Sequence, residues 1–261
     1  MSDDFYVGYL DRAPSAVAGR VRTAVLGLAV ILIAAAAAFA LGQRDNGDGV
    51  YEFGVARSFE GRIESIPYPT LRVRRPAGAD GADAYSRYPV VQFAKFGAAE
   101  ALAPYEGQRV RLEAAVVARD GVTMLELVEG NVEALGATSE PDPDGPGPEG
   151  SDAGPRQSVV VRGEIVDSKC FLGAMKPGLG RAHKACAELC VRGGIPPLVV
   201  GTREGDQGPE FVKALLVGPD GTTLNQQVLD LIAEPVEIEG ELEQLDDLML
   251  LHTDVASIQR L

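Results

Sequence analysis

Arg109–Val128 reads RVRLEAAVVARDGVTMLELV, and at an offset of 126 Pro235–Thr253 reads PVEIEGELEQLDDLMLLHT. Aligned without gaps, Val110 meets Val236, Leu112 meets Ile238, Val116 meets Leu242, Asp120 meets Asp246 and Leu125 meets Leu251. In both copies apolar residues recur with a period of two, the pattern of a strand with one buried face. Asp120-Gly121 in one and Asp246-Asp247 in the other fall between the runs, and Asp-Gly is a strong hairpin signal. Each stretch therefore predicts two strands joined by a tight turn. Solvation is the ordinary explanation for an acid pair such as Asp246-Asp247 in a turn.

Working outward, each copy begins with a strand-like run carrying a glycine, SFEGRIESI around Gly61 and VVVRGEIVD around Gly163. Before each hairpin lies a short helical segment, Gly97–Tyr105 in the first copy and Leu224–Ala233 in the second. Leu224, Val228, Leu231 and Ile232 of the latter fall on one helical face. The order in each copy is strand, strand, strand, short helix, strand, strand. This resembles the oligonucleotide-binding (OB) barrel, and the chain reads as mainly β, with two small OB-like barrels at residues 50–137 and 157–261. Between them, Thr138–Arg156 (TSEPDPDGPGPEGSDAGPR) combines proline, glycine and acid in a composition that buries no core, and reads as a linker over residues 138–156. OB barrels often bind nucleic acid, but a net charge of −14 repels a phosphate backbone, so no nucleic-acid partner is expected.

Upstream, Thr23–Gln43 is an uncharged run, TAVLGLAVILIAAAAAFALGQ, long enough as a helix to cross the hydrocarbon core of a bilayer. Residues 23–43 are read as a single membrane span; Ala38 and Ala40 also form the small-residue pair of a cleavable signal. Arg12, Arg20 and Arg22 precede the span and Arg44, beside Asp45 and Asp48, follows it. That bias makes residues 1–22 a cytoplasmic tail and places the bulk of the chain outside the bacterial cytoplasmic membrane, in the periplasm. Phe5, Tyr6, Tyr9 and Leu10 in the tail suit the membrane interface or a partner subunit.

The second copy is longer. Gly61 to Val110 spans 49 positions and Gly163 to Val236 spans 73, and the extra length coincides with Asp167–Pro197, DSKCFLGAMKPGLGRAHKACAELCVRGGIPP. This insertion, residues 167–197, holds all three cysteines and one of the two histidines. On a helix over Arg181–Val191, ended by Gly193-Gly194, His183, Cys186 and Cys190 share a face, and the Gly- and Pro-containing stretch 173–180 returns the chain from Cys170. Cys170, His183, Cys186 and Cys190 then offer three thiolates and an imidazole, a donor set that zinc takes in closed tetrahedral sites. Copper(I) would favour the thiolates and recruit Met175, and an iron–sulfur cluster ranks behind both. Two other readings stay open: a disulfide from Cys170 to Cys186 or Cys190 that braces the loop, and thiol–disulfide exchange. The cations Lys169, Lys176, Arg181, Lys184 and Arg192 either favour thiolate or pair with the acidic barrels. His252 reads as an ordinary strand residue.

The stretch resembles a motif of bacterial membrane-anchored envelope proteins of no established activity. It runs Cys170-Phe171-Leu172-Gly173, then His183, Cys186-Ala187 and Cys190, then Gly193-Gly194-Ile195-Pro196. The resemblance implies that the four soft donors act as a unit. No haem-attachment, thioredoxin-type, P-loop or hydrolase-elbow motif occurs, so no standard catalysis is expected. The functional expectation is an accessory subunit of a respiratory, redox or metal-handling membrane complex, with protein partners in that complex.

Overall fold

The computed structural model describes residues 15–42, 49–75, 85–136 and 154–261. The tail aromatics, Arg12, Arg44, Asp45, Asp48 and linker residues 138–153 lie outside them. The chain divides into two compact units, Met1–Gly47 and Asp48–Leu261. The described part of the first is one helix, α1 (Ser15–Gly42). Its apolar portion, Val17–Gly42, is long enough to cross a membrane, and none of it is buried within the protein.

The second unit holds both barrels. The first is built from β1 (Val50–Tyr51), β2 (Arg57–Ser65), β3 (Pro69–Arg74), β4 (Tyr85–Val91), α2 (Ala99–Leu102), β5 (Arg109–Arg119) and β6 (Val122–Ala134). The second uses β7 (Gln157–Asp167), α3 (Lys184–Arg192), β8 (Pro197–Gly205), β9 (Gly208–Val217), β10 (Pro235–Leu245), β11 (Leu248–His252) and β12 (Ile258–Arg260). In the first, β5-β2-β3-β4-β6 closes on itself through β5–β6; in the second, β10-β7-β8-β9-β11 closes through β10–β11. The third and fifth strands of each ring run parallel and the remaining pairs antiparallel, the OB arrangement.

The offset of 126 survives in the strand pairing. Val116 faces Leu125 as Leu242 faces Leu251, and Val90 faces Leu125 as Leu216 faces Leu251, while Gly61 faces Val110 as Gly163, only 102 positions further on, faces Val236. A shift of one residue would turn every apolar side chain outward, so equal registers mean equal inward faces. Ile63, Leu71, Val90, Leu112 and Leu125 fill the first barrel, and Val161, Ile165, Leu216, Ile238 and Leu251 the second.

A third core joins them. Tyr68, Val91, Val117 and Met124 of the first barrel pack with Phe171, Leu172, Ile195, Leu198 and Leu248 of the second. The two hairpin turns extend this junction. Asp120 and Asp246 both adopt a left-handed backbone, and each reaches the opposite barrel. Arg87 donates to Asp246 at 2.8 Å, its backbone N–H donates to Asp247 at 2.8 Å, and its guanidinium also pairs with Glu64. Lys213, the residue aligned with Arg87, donates to the Asp120 carbonyl at 2.6 Å. Solvation is thus the wrong explanation for Asp246, whose partners are the buried arginines of the other barrel, while Asp247 stays exposed.

One helix differs from expectation. Leu224–Ala233 forms successive turns with a single 3-10 stretch at Leu229–Leu231. Leu224, Val228 and Ile232 are still buried, while Asn225 turns inward and donates to the carbonyls of Val191 and Ile195, diverting the chain from a regular helix. The other segment, Gly97–Tyr105, contains α2 followed by a 3-10 turn as read.

Candidate metal centre

The insertion leaves the barrel at the end of β7. Asp167, the last residue of that strand, is fully buried. Ser168 ties the exit to the return by donating to the Pro196 carbonyl at 2.7 Å. A wide turn over Cys170–Ala174 follows, and α3 carries the remaining donors back. The helix starts at Lys184, three residues later than expected, with His183 as its cap residue. Its C-terminus lies at Gly193, as the Gly193-Gly194 pair implies.

The donor atoms of Cys170, His183 and Cys186 lie within 4.8 Å of one another, and so do those of Asp167, Cys170 and Cys190. Cys170 belongs to both groups, so the four sequence-identified residues fall into two adjoining sets that meet at Cys170, with Asp167 in the second. Donors bound at about 2.0–2.3 Å around a tetrahedral ion stand roughly 3.3–3.8 Å apart, inside that spacing. All three cysteines are free. Met175 is largely exposed and belongs to neither group, and His252 pairs with Glu243 at 2.6 Å, away from the cluster.

Asp167 organises the site. One carboxylate oxygen accepts the Cys170 N–H at 2.8 Å and the other lies 2.9 Å from His183 Nε2. A carboxylate only accepts, so this contact places a proton on Nε2 and holds the ring in one orientation. Carboxylates behind metal-bound imidazoles play this part in many sites. The insertion's opening Asp was in view from the sequence, but nothing there assigned it a role.

Lys95 comes from the first barrel, 91 residues before Cys186, and no sequence signal marks it. Its ammonium donates to Cys186 Sγ at 2.8 Å and lies 3.7 Å from Cys190 Sγ. The turn that carries it docks on the end of α3, where Gly97 N–H donates to Gly193 O at 2.9 Å. This approach requires glycine: a Cβ at Gly193 would lie 2.0 Å from Lys95 O, and one at Gly97 2.3 Å from Gly194 O. Lys169, buried beside Cys170, fixes the same turn by donating to the carbonyls of Gln92 and Ala94, each at 2.9 Å, and by pairing with Glu126. Arg119 stacks on Phe171 and donates to its carbonyl at 3.1 Å, so the first barrel also grips the cysteine turn.

Charge is distributed unevenly among the sulfurs. The hydrogen bond from Cys170 lowers the Cys190 pKa, with the Lys95 charge acting in the same direction. That bond, burial and the Asp167 carboxylate all push Cys170 up. Contact with Cys186 raises the Lys95 pKa and keeps its ammonium charged. Elsewhere on the insertion, Arg181 and Lys184 pair with Glu234, so much of its positive charge is matched by the barrels.

Fold and site together define a class: a closed pair of OB-type barrels, the second bearing a buried Cys/His cluster, in a chain with an apolar helix near its N-terminus. Comparison with known proteins returned no matching family model, no similar curated protein and no similar solved structure.

Proposed function

We propose that this chain is a membrane-anchored protein of the bacterial envelope that holds one metal ion through Cys170, His183, Cys186 and Cys190. The observation that carries the reading is the convergence of three sulfurs and one imidazole in two groups that share Cys170. Asp167 orients His183, and Lys95 offsets the negative charge that three thiolates bring into a buried place. Three sulfurs and one nitrogen suit zinc in a closed structural site, or copper(I) held by the thiolates. A closed site of this kind would pin the cysteine turn and α3 against both barrels and supply folding energy there.

The apolar helix serves as the single-pass anchor, with Arg20 and Arg22 on the cytoplasmic side and the barrels in the periplasm. In that position the chain acts as an accessory subunit of a redox or metal-handling membrane complex. The resemblance of residues 170–196 to a motif of envelope proteins supports treating the four donors as one unit.

The test is elemental analysis of the full-length, detergent-solubilised protein purified under reducing, chelator-free conditions. About one zinc or copper per chain is expected, and Cys186→Ser should abolish it. A metal-free protein whose cysteines form a stable intramolecular disulfide contradicts the reading.

A further inference from the structure

We propose that the same cysteines perform thiol–disulfide exchange with small organic disulfides, Cys186 attacking and Cys170 resolving. The inference shares the sulfur convergence of the metal reading but does not use the metal. Three observations carry it. Cys170 and Cys190 are buried, whereas Cys186 is only partly so, which makes it the first sulfur an external molecule meets. Cys186 and Cys170 have their sulfurs within 4.8 Å, and they approach from separate elements, α3 and the turn after β7. Lys95 places an ammonium 2.8 Å from Cys186 Sγ, where it stabilises charge on the attacking sulfur and on the thiolate it expels.

The chemistry balances in two displacements. The Cys186 thiolate attacks one sulfur of R–S–S–R, forming Cys186–S–S–R and releasing RS⁻, which takes a proton from water. Cys170 then attacks the Cys186 sulfur, from which its own lies within 4.8 Å, giving up its proton to water. The Cys170–Cys186 bond forms and a second RS⁻ departs. Two protein thiols are oxidised and one external disulfide is reduced to two thiols. Oxidation removes two of the four metal donors, so exchange also releases a bound ion.

The experiment uses the full-length protein in detergent, stripped with a chelator and treated with 2-hydroxyethyl disulfide. Wild type should lose two hydrogens by intact mass and yield a tryptic cross-link joining Cys170 to Cys186. Cys170→Ser should stop at a mixed disulfide on Cys186, Cys190→Ser should still form the bridge, and Cys186→Ser should slow the first thiol release by at least about tenfold. No bridge in wild type, or Cys186→Ser reacting at the wild-type rate, overturns the proposal. Should a variant not fold, the position of the wild-type cross-link decides alone. Metal content measured before stripping separates the two readings: a chain that binds metal without exchanging disulfides sinks only this one, and a chain that exchanges without binding metal sinks only the other.

Discussion

The first barrel crosses from its first ring strand to its second in three residues, 66–68, while the second barrel takes residues 168–196 for the same step. Around these connections the strand frames share one register. The short connection carries Tyr68, whose hydroxyl donates to the Leu216 carbonyl at 3.0 Å in the other barrel. The long one carries Phe171, which packs beneath Arg119 of the first barrel. Each connection thus reaches across the junction, and the hairpin turns do the same through Asp120 and Asp246. The junction has the reciprocal character of a two-fold interface between like subunits. The difference between the connections shows how a site is added to such a pair: the frame stays fixed, one crossing lengthens, and the opposite barrel closes over it with Lys95.

Three substitutions break or sharpen this comparison, each measured on the full-length protein in detergent. Phe171→Ala removes a buried ring from the junction and should cost about 3–5 kcal/mol in denaturant unfolding. A cost under about 1 kcal/mol would mean the long connection is not part of the shared core. Asp246→Ala leaves the buried Arg87 short of a carboxylate and should cost about 3 kcal/mol. Its counterpart Asp120→Ala, at a turn with a largely exposed side chain, should cost under about 1 kcal/mol. Equal costs would show that the two turns are equivalent and that the burial of Arg87 is energetically unimportant.

Two more variants address the site. Asp167→Asn keeps the shape but weakens the hold on the His183 ring, and a competition titration with a chromophoric chelator should show metal affinity falling about 10–100-fold. Lys95→Met keeps the length without the charge and should weaken affinity toward the lower end of that range, about tenfold. An unchanged affinity for Lys95→Met would mean that the first barrel covers the site without contributing to it.

Much of the frame was legible because two facts repeat at one offset: apolar residues with a period of two, and Asp at the turn. The donors Cys170, His183, Cys186 and Cys190 were legible because the soft side chains all gather in the one stretch that breaks the repeat. Lys95 was not, since its position depends on a turn of one barrel docking on the glycines that end a helix of the other. Gly193-Gly194 read locally as a helix stop, which it is, but its bareness also admits that turn. Asp246 misled for a related reason. An acid pair in a turn looks solvated until the partner barrel supplies Arg87. Leu224–Ala233 misled because successive turns bury Leu224, Val228 and Ile232 as a helix would, and only the inward Asn225 sets them apart.

X-ray absorption at the metal edge of the full-length protein tests the central claim most directly. The account predicts three sulfur neighbours at about 2.3 Å and one nitrogen at about 2.0 Å if the ion is zinc, with one sulfur lost in Cys186→Ser should any metal remain. A shell of oxygen and nitrogen alone, unchanged by that substitution, would contradict it.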